Sequence, residues 1–146
     1  MNYKDEREYL ENELRSYRKI IDMCYRYEQE IEEAQIAKYG ISSASYKDVI
    51  YENAGDPYKV NINALNESIK LNTVRLQAWQ QRKEWIEERL SVLDEKEYKV
   101  IKYKYIVSVK ATNAWIASVL PCHENTIKHI IDRSLEKMLK FVGNHK

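Results

Sequence analysis

Two long apolar repeats of heptad spacing dominate this sequence and constrain its fold more than any other feature. Leu10, Leu14, Tyr17, Ile21, Cys24 and Ile31 recur at steps of four and three, with Glu28 in the one missed position. A second series runs through Ile62, Leu65, Ile69, Leu76, Trp79, Ile86, Leu90 and Leu93, interrupted by Asn72 and Lys83. Such spacing places apolar side chains on one stripe of a helix. The pattern predicts helices from about Tyr3 to Lys38 and from about Ile62 to Leu93, each roughly 50 Å long at 1.5 Å per residue. Helices of that length in a chain of 146 residues must bury their stripes against each other, so an antiparallel hairpin is expected. Its register sets Glu28 against Asn72 as a polar layer.

The connection from Gly40 to Val60 holds Ser42, Ser43, Ser45, Gly55, Asp56 and Pro57, all turn or cap formers. It reads as a loop, with one helical turn around Tyr46, Val49 and Ile50. Only three Gly and two Pro occur in the whole chain, which leaves little material for hairpin turns or phosphate-cradling loops. An all-α fold follows, with a hairpin over 1–93 and a smaller helical domain over 94–146.

Asp94, with Glu97 three residues on, forms a capping box for a new helix. That helix turns Val100, Ile101 and Tyr105 inward and leaves Lys99, Lys102 and Lys104 for solvent or phosphates. Thr112 caps the next, short helix, whose Ile116, Ala117 and Leu120 face inward. Pro121 and Cys122 make a turn. A last helix starts at His123 or Glu124 and carries an apolar face of Ile127, Ile130, Ile131, Leu135, Met138 and Leu139.

The pattern Thr112-x-x-x-Ile116-Ala117-x-x-Leu120, then Thr126-Ile127, then Arg133-x-Leu135-x-Lys137-x-Leu139, resembles the fourth conserved region of bacterial sigma factors. The lead-in Leu90-x-x-Leu93-Asp94-x-x-Glu97-Tyr98-x-Val100-Ile101 looks like the first helix of that region, so the likeness spans about residues 90 to 141. The wider layout, with its long helices, Gly55-Asp56-Pro57 loop and Glu97-Tyr98-Lys99 entry, resembles the ArpU and RinA-like phage late-gene regulators. That resemblance implies a transcription activator of packaging, morphogenesis or lysis genes, acting with bacterial RNA polymerase. The chain departs from the pattern in two places. Pro121 stands at the turn where Gly is usual, and His123-Glu124-Asn125 opens the last helix in place of an Arg-rich stretch.

In a helix-turn-helix the second helix enters the major groove N-terminus first. His123, Glu124, Asn125, Lys128 and His129 are therefore the candidate base readers. Asn125 can pair with adenine, Lys128 can donate to guanine and Glu124 can accept from cytosine. Lys110, Thr112, Thr126, Arg133 and Lys137 are the candidate phosphate contacts, which add affinity without sequence information. The expected partner is double-stranded promoter DNA, with RNA polymerase and a second copy, as a homodimer, as further candidates.

Net charge is only +1, but residues 94–146 hold ten Lys or Arg against six Asp or Glu, while residues 1–93 hold fourteen against seventeen. The basic excess belongs to the segment assigned to DNA. No Gly-rich phosphate loop, HExxH or GxSxG occurs, so no enzyme, no cofactor and no small-molecule substrate are expected. Cys24 and Cys122 lack CxxC spacing, and Cys122, His123 and His129 are too few for a metal centre. The absence of a long apolar run, and an N-terminal segment without an apolar signal core, set the expectation of a cytoplasmic protein with no membrane partner. A phage small terminase-like packaging subunit and a coiled-coil adaptor for other proteins are the alternative functions.

Overall fold

The computed structural model describes the backbone of residues 2–48, 57–108 and 110–142, and the side chains of these except 41–48 and 57–60. Among the described residues every regular element is a helix: α1 (Tyr3–Asp48), α2 (Pro57–Leu90), α3 (Glu95–Ile101), a π-helical segment (Lys102–Val107), α4 (Asn113–Val119) and α5 (Glu124–Leu139). The all-α expectation is met. No helix among the described residues is long and apolar enough to cross a membrane.

The first helix does not stop near Lys38 but continues through Gly40 to Asp48. Each added residue gains a backbone hydrogen bond once a helix is under way. One Gly in its interior costs only about 1 kcal/mol relative to Ala, and nothing lies within 4 Å of a Cβ built on Gly40. Residues 40–48 and 57–60 of the expected loop are therefore helical. Pro57 is the first residue of α2, a position whose amide would have no helical partner in any case. Val49, Ile50, Gly55 and Asp56, assigned above to the loop, lie outside the described residues.

The chain divides into two compact units, Met1–Ile20 with Arg82–Lys146, and Ile21–Gln81. This division falls within the two long helices, not at the boundary near residue 93 that the sequence pattern suggested. In the first unit the start of α1 and the end of α2 run antiparallel. Arg82 donates through Nη2 and Nε to the Glu13 carboxylate at 2.7 and 3.1 Å, and the Tyr9 ring meets Trp85 edge-on with centroids 5.3 Å apart. Their apolar residues Leu10, Leu14, Ile20, Ile86 and Leu90 are buried, as are Val100, Ile101, Tyr105, Ile116, Ile127, Leu135 and Met138 of the following elements. The core of this unit thus draws on both ends of the chain.

The second unit is a stretch of the α1–α2 pair. Cys24, Ala34 and Asn72 are buried, flanked by half-buried Tyr27, Ile31, Leu65, Ile69, Leu76 and Trp79. Two expectations fail here. The seam passes through Ile20 and Cys24 while Ile21 is exposed; a helix of 3.6 residues per turn drifts against a seven-residue repeat, so the inward position changes along the stripe. Glu28 is exposed, and Asn72 donates to Ser68 Oγ on its own helix at 3.4 Å. The proposed polar layer is absent, since Glu28 lies on the solvent side and Asn72 bonds within its own helix.

Candidate nucleic-acid interface

Asp94 caps α3 as its sequence predicts. The Glu97 amide donates to Asp94 Oδ1 at 2.8 Å, and the Asp94 amide donates to Glu97 Oε1 at 2.9 Å. Glu97 does more than close this box, because it is fully buried. Lys137 Nζ donates to its Oε1 at 2.8 Å and Arg133 Nε to its Oε2 at 3.1 Å. Burial alone would raise the carboxyl's pKa, but the hydrogen bonds from Lys137, the Asp94 amide and Arg133 outweigh it and hold the group at about 2. A carboxylate on α3 therefore fixes two cations of α5.

The next connection also carries unforeseen contacts. Lys104 does not project freely into solvent; its Nζ donates to the Ala111 carbonyl at 3.3 Å and to Asn113 Oδ1 at 2.9 Å, so it ties the π-helical segment to the start of α4. Tyr105 turns inward as expected and donates its hydroxyl proton to Glu11 at 2.8 Å. Burial, and then that hydrogen bond, push the phenol well above its ordinary range. Lys99 pairs with Glu95 at 3.3 Å, while Lys102 is exposed.

Thr112 caps α4, its Oγ1 accepting from the Trp115 amide at 3.1 Å. Helix α4 ends at Val119 and α5 begins at Glu124, so residues 120–123 form the turn, with the Cys122 amide bonded to the Ala117 carbonyl at 3.4 Å. A four-residue connection between two packed helices is of the length found in helix-turn-helix motifs. Ile116 of α4 and Ile127, Ile130 and Ile131 of α5 are buried, which matches the predicted inward face.

The solvent-side residues of α5 have distinct uses. Arg133 and Lys137 are held by Glu97, and Asp132, one turn beyond Lys128 on the same side of the helix, accepts from Arg7 Nη2 of α1 at 2.9 Å. What remains is the N-terminal face: His123, Glu124, Asn125, Thr126, Lys128 and His129 are all exposed, and no side-chain partner for them occurs among the described residues. His123 makes no capping bond with its side chain. The five candidate base readers thus share one open surface, and Thr126 lies among them.

The candidate phosphate contacts are more scattered. Lys110 is exposed and lines a shallow cleft of about 280 Å³ with Ser108, Ala111, Thr112 and Trp115. Arg133 and Lys137 keep 58% and 44% of their side-chain surface exposed, so each cation is both bonded and accessible. Trp115, which sequence reasoning passed over, is 45% exposed and meets Tyr103 edge-on at 5.6 Å. Only its place in the α4 pattern, at a position that should have been polar, could have drawn attention to it. The Arg7–Asp132 pair had no local signal at all.

No group of three or more His, Cys, Asp or Glu suited to a metal ion occurs among the described residues. No protein-family model, curated protein or solved structure matches this chain.

Proposed function

We propose that this chain is a sequence-specific DNA-binding regulator of transcription, of the phage late-gene activator kind, which meets promoter DNA through α5. The observation that carries the proposal is the row of exposed polar side chains over the first two turns of α5, with no side-chain partner among the described residues, on a helix otherwise buried along its inner face and ion-paired through Asp132, Arg133 and Lys137. A helix so fixed presents donors and acceptors to a major groove without having to order itself first. Asn125 and Lys128 supply the contacts suited to adenine and guanine, each worth roughly 1–3 kcal/mol of discrimination. Lys110, Arg133 and Lys137 supply phosphate contacts, and the Glu97 carboxylate sets where two of these cations stand. The likeness of residues 90 to 141 to sigma-factor region four supports promoter DNA as the target and RNA polymerase as the neighbouring partner.

The test is selection of duplexes from a randomised pool, followed by fluorescence-anisotropy titration of the selected and scrambled duplexes at two salt concentrations. The wild-type chain prefers the selected duplex by at least about 1,000-fold, as specific binders do. Asn125→Ala and Lys128→Ala each reduce that preference by about 10-fold or more, and Lys110→Ala weakens both duplexes alike. Failure to enrich any sequence, or enrichment unaffected by the α5 substitutions, overturns the proposal.

A further inference from the structure

Within Ile21–Gln81 each long helix carries a second apolar stripe that the pairing of α1 with α2 leaves uncovered. On α1 it comprises Ile21, Tyr25, Glu28, Glu32, Ile36 and Tyr39, all exposed, with Tyr25 63% and Tyr39 77% accessible. On α2 it comprises Ala64, Glu67, Leu71, Val74 and Ala78, also exposed, and it is flanked by exposed Lys70 and Arg75. Both stripes repeat at steps of three and four, as a helix-packing surface does. The buried complement of this unit is thin by comparison, being Cys24, Ala34 and Asn72 among the described residues.

We infer that these stripes join copies of this chain head to tail, the α1 stripe of one copy packing on the α2 stripe of the next. Three features of the two stripes select this occupant. The first is charge: residues 21–48 hold six Asp or Glu against three Lys or Arg, whereas residues 57–81 hold one against three. Glu28 and Glu32 on the α1 stripe therefore meet Lys70 and Arg75 in the α1-to-α2 arrangement, but meet their own copies if α1 packs on α1.

The second feature is shape. Gln35, Lys38 and Tyr39 line one cleft with Asn66 and Ile69, which fixes the antiparallel register within the unit. Carried to a neighbour at the same height, that register brings Tyr39 within a turn of Ala64, Tyr25 within a turn of Ala78, and Glu28 and Glu32 within a turn of Arg75 and Lys70. Tyr39 and Tyr25 meet the small Ala64 and Ala78, Glu28 and Glu32 meet Arg75 and Lys70, and Glu67 falls beside Ile36.

The third feature is direction. Tyr25, Glu28, Glu32 and Tyr39 each follow a seam position (Cys24, Tyr27, Ile31, Lys38), whereas Ala64, Leu71 and Ala78 each precede one (Leu65, Asn72, Trp79). A step of one residue turns a helix by about 100°, and the two helices run in opposite senses. The stripes consequently face opposite sides of the hairpin. One pairing leaves a stripe free at each end, so association closes as a ring or continues as a filament and does not stop at a two-fold dimer.

This inference does not depend on DNA binding, and its test uses the full chain without DNA. Sedimentation velocity and light scattering over a range of concentrations show wild-type species larger than a dimer. Tyr25→Glu with Ile36→Glu breaks the α1 stripe, and Leu71→Glu with Val74→Glu breaks the α2 stripe. Each variant alone is monomeric, and an equimolar mixture forms a one-to-one dimer that grows no further, because each contributes its intact stripe. A monomeric wild type, self-association that persists in either variant, or a mixture that stays monomeric overturns the inference. The substituted positions are exposed, and far-UV circular dichroism verifies that helix content is retained. A variant that loses helicity is replaced by its Gln counterpart, to which the same outcomes apply.

Discussion

Glu97 shows how one residue can serve local structure and a distant surface together. Its amide and carboxylate close the cap of α3, and the same carboxylate holds Arg133 and Lys137. Gln at this position keeps the shape but removes the charge; hydrogen bonds to charged groups contribute roughly 1.5–3 kcal/mol. Glu97→Gln is accordingly expected to lower the free energy of unfolding by about 2 kcal/mol, measured by urea denaturation at neutral pH. The linkage to pH has a definite sign. The folded pKa is lowered from 4.5 to about 2, so the stabilisation is complete above 4.5 and is lost as pH falls through 2. The gap between wild type and Glu97→Gln should therefore narrow across that window, and a constant gap would exclude Glu97 as its source. The capping role was legible from Asp94-x-x-Glu97, since a cap is a contact between near neighbours. The clamp on α5 was not, because nothing in the spacing of 97, 133 and 137 tells that α3 and α5 adjoin.

At the scale of the elements, periodicity and capping identified the five α-helices found among the described residues but placed the ends of the long ones less well. Signals at α3, α4 and α5 were strong because capping residues punctuate them: Asp94, Thr112 and the turn at 120–123 mark the boundaries. The end of α1 had no such mark, and Gly40 with a run of serines was read as a stop where the helix continues. Propensity is a weak local preference, and a helix already formed extends through it. Gly40 also provides a direct check. It sits in the interior of α1 with free space around it, so Gly40→Ala should raise stability by roughly 0.5–1 kcal/mol, seen as a higher melting temperature by circular dichroism. A loss of stability there would place this position outside the helix. The candidate reading face of α5 was legible for a related reason, since a strong apolar period on one side of a helix identifies the opposite side by elimination.

For the whole molecule, the sequence pattern suggested a hairpin followed by an independent domain, whereas the first compact unit unites Met1–Ile20 with Arg82–Lys146. Arg7 bonds to Asp132, Glu11 to Tyr105, Glu13 to Arg82 and Tyr17 to Glu87. Long-range pairs of this kind leave no periodic trace, which is why the boundary near residue 93 was inferred in their absence. A fragment of residues 94–146 lacks the buried side chains of Leu10, Leu14, Ile20, Ile86 and Leu90. It is expected to give a non-cooperative thermal transition and poorly dispersed amide resonances, while a fusion of residues 1–20 and 82–146 through a short linker recovers both. Cooperative melting of the 94–146 fragment alone would restore the simpler division.

The bond between Arg7 and Asp132 spans 125 positions, and it has a consequence for the order of events on the ribosome. The first helical turns gain their mates when the end of α2 emerges, Tyr9 against Trp85 and Glu13 against Arg82, whereas Asp132 follows only with α5. Loop closure over such a distance is slow relative to local helix formation, so the bond between Arg7 and Asp132 forms after the pairing of α1 with α2. A product cut short before α5 lacks the buried Ile127, Ile130, Ile131, Leu135 and Met138 of the first unit, and quality control by proteolysis is then its expected fate.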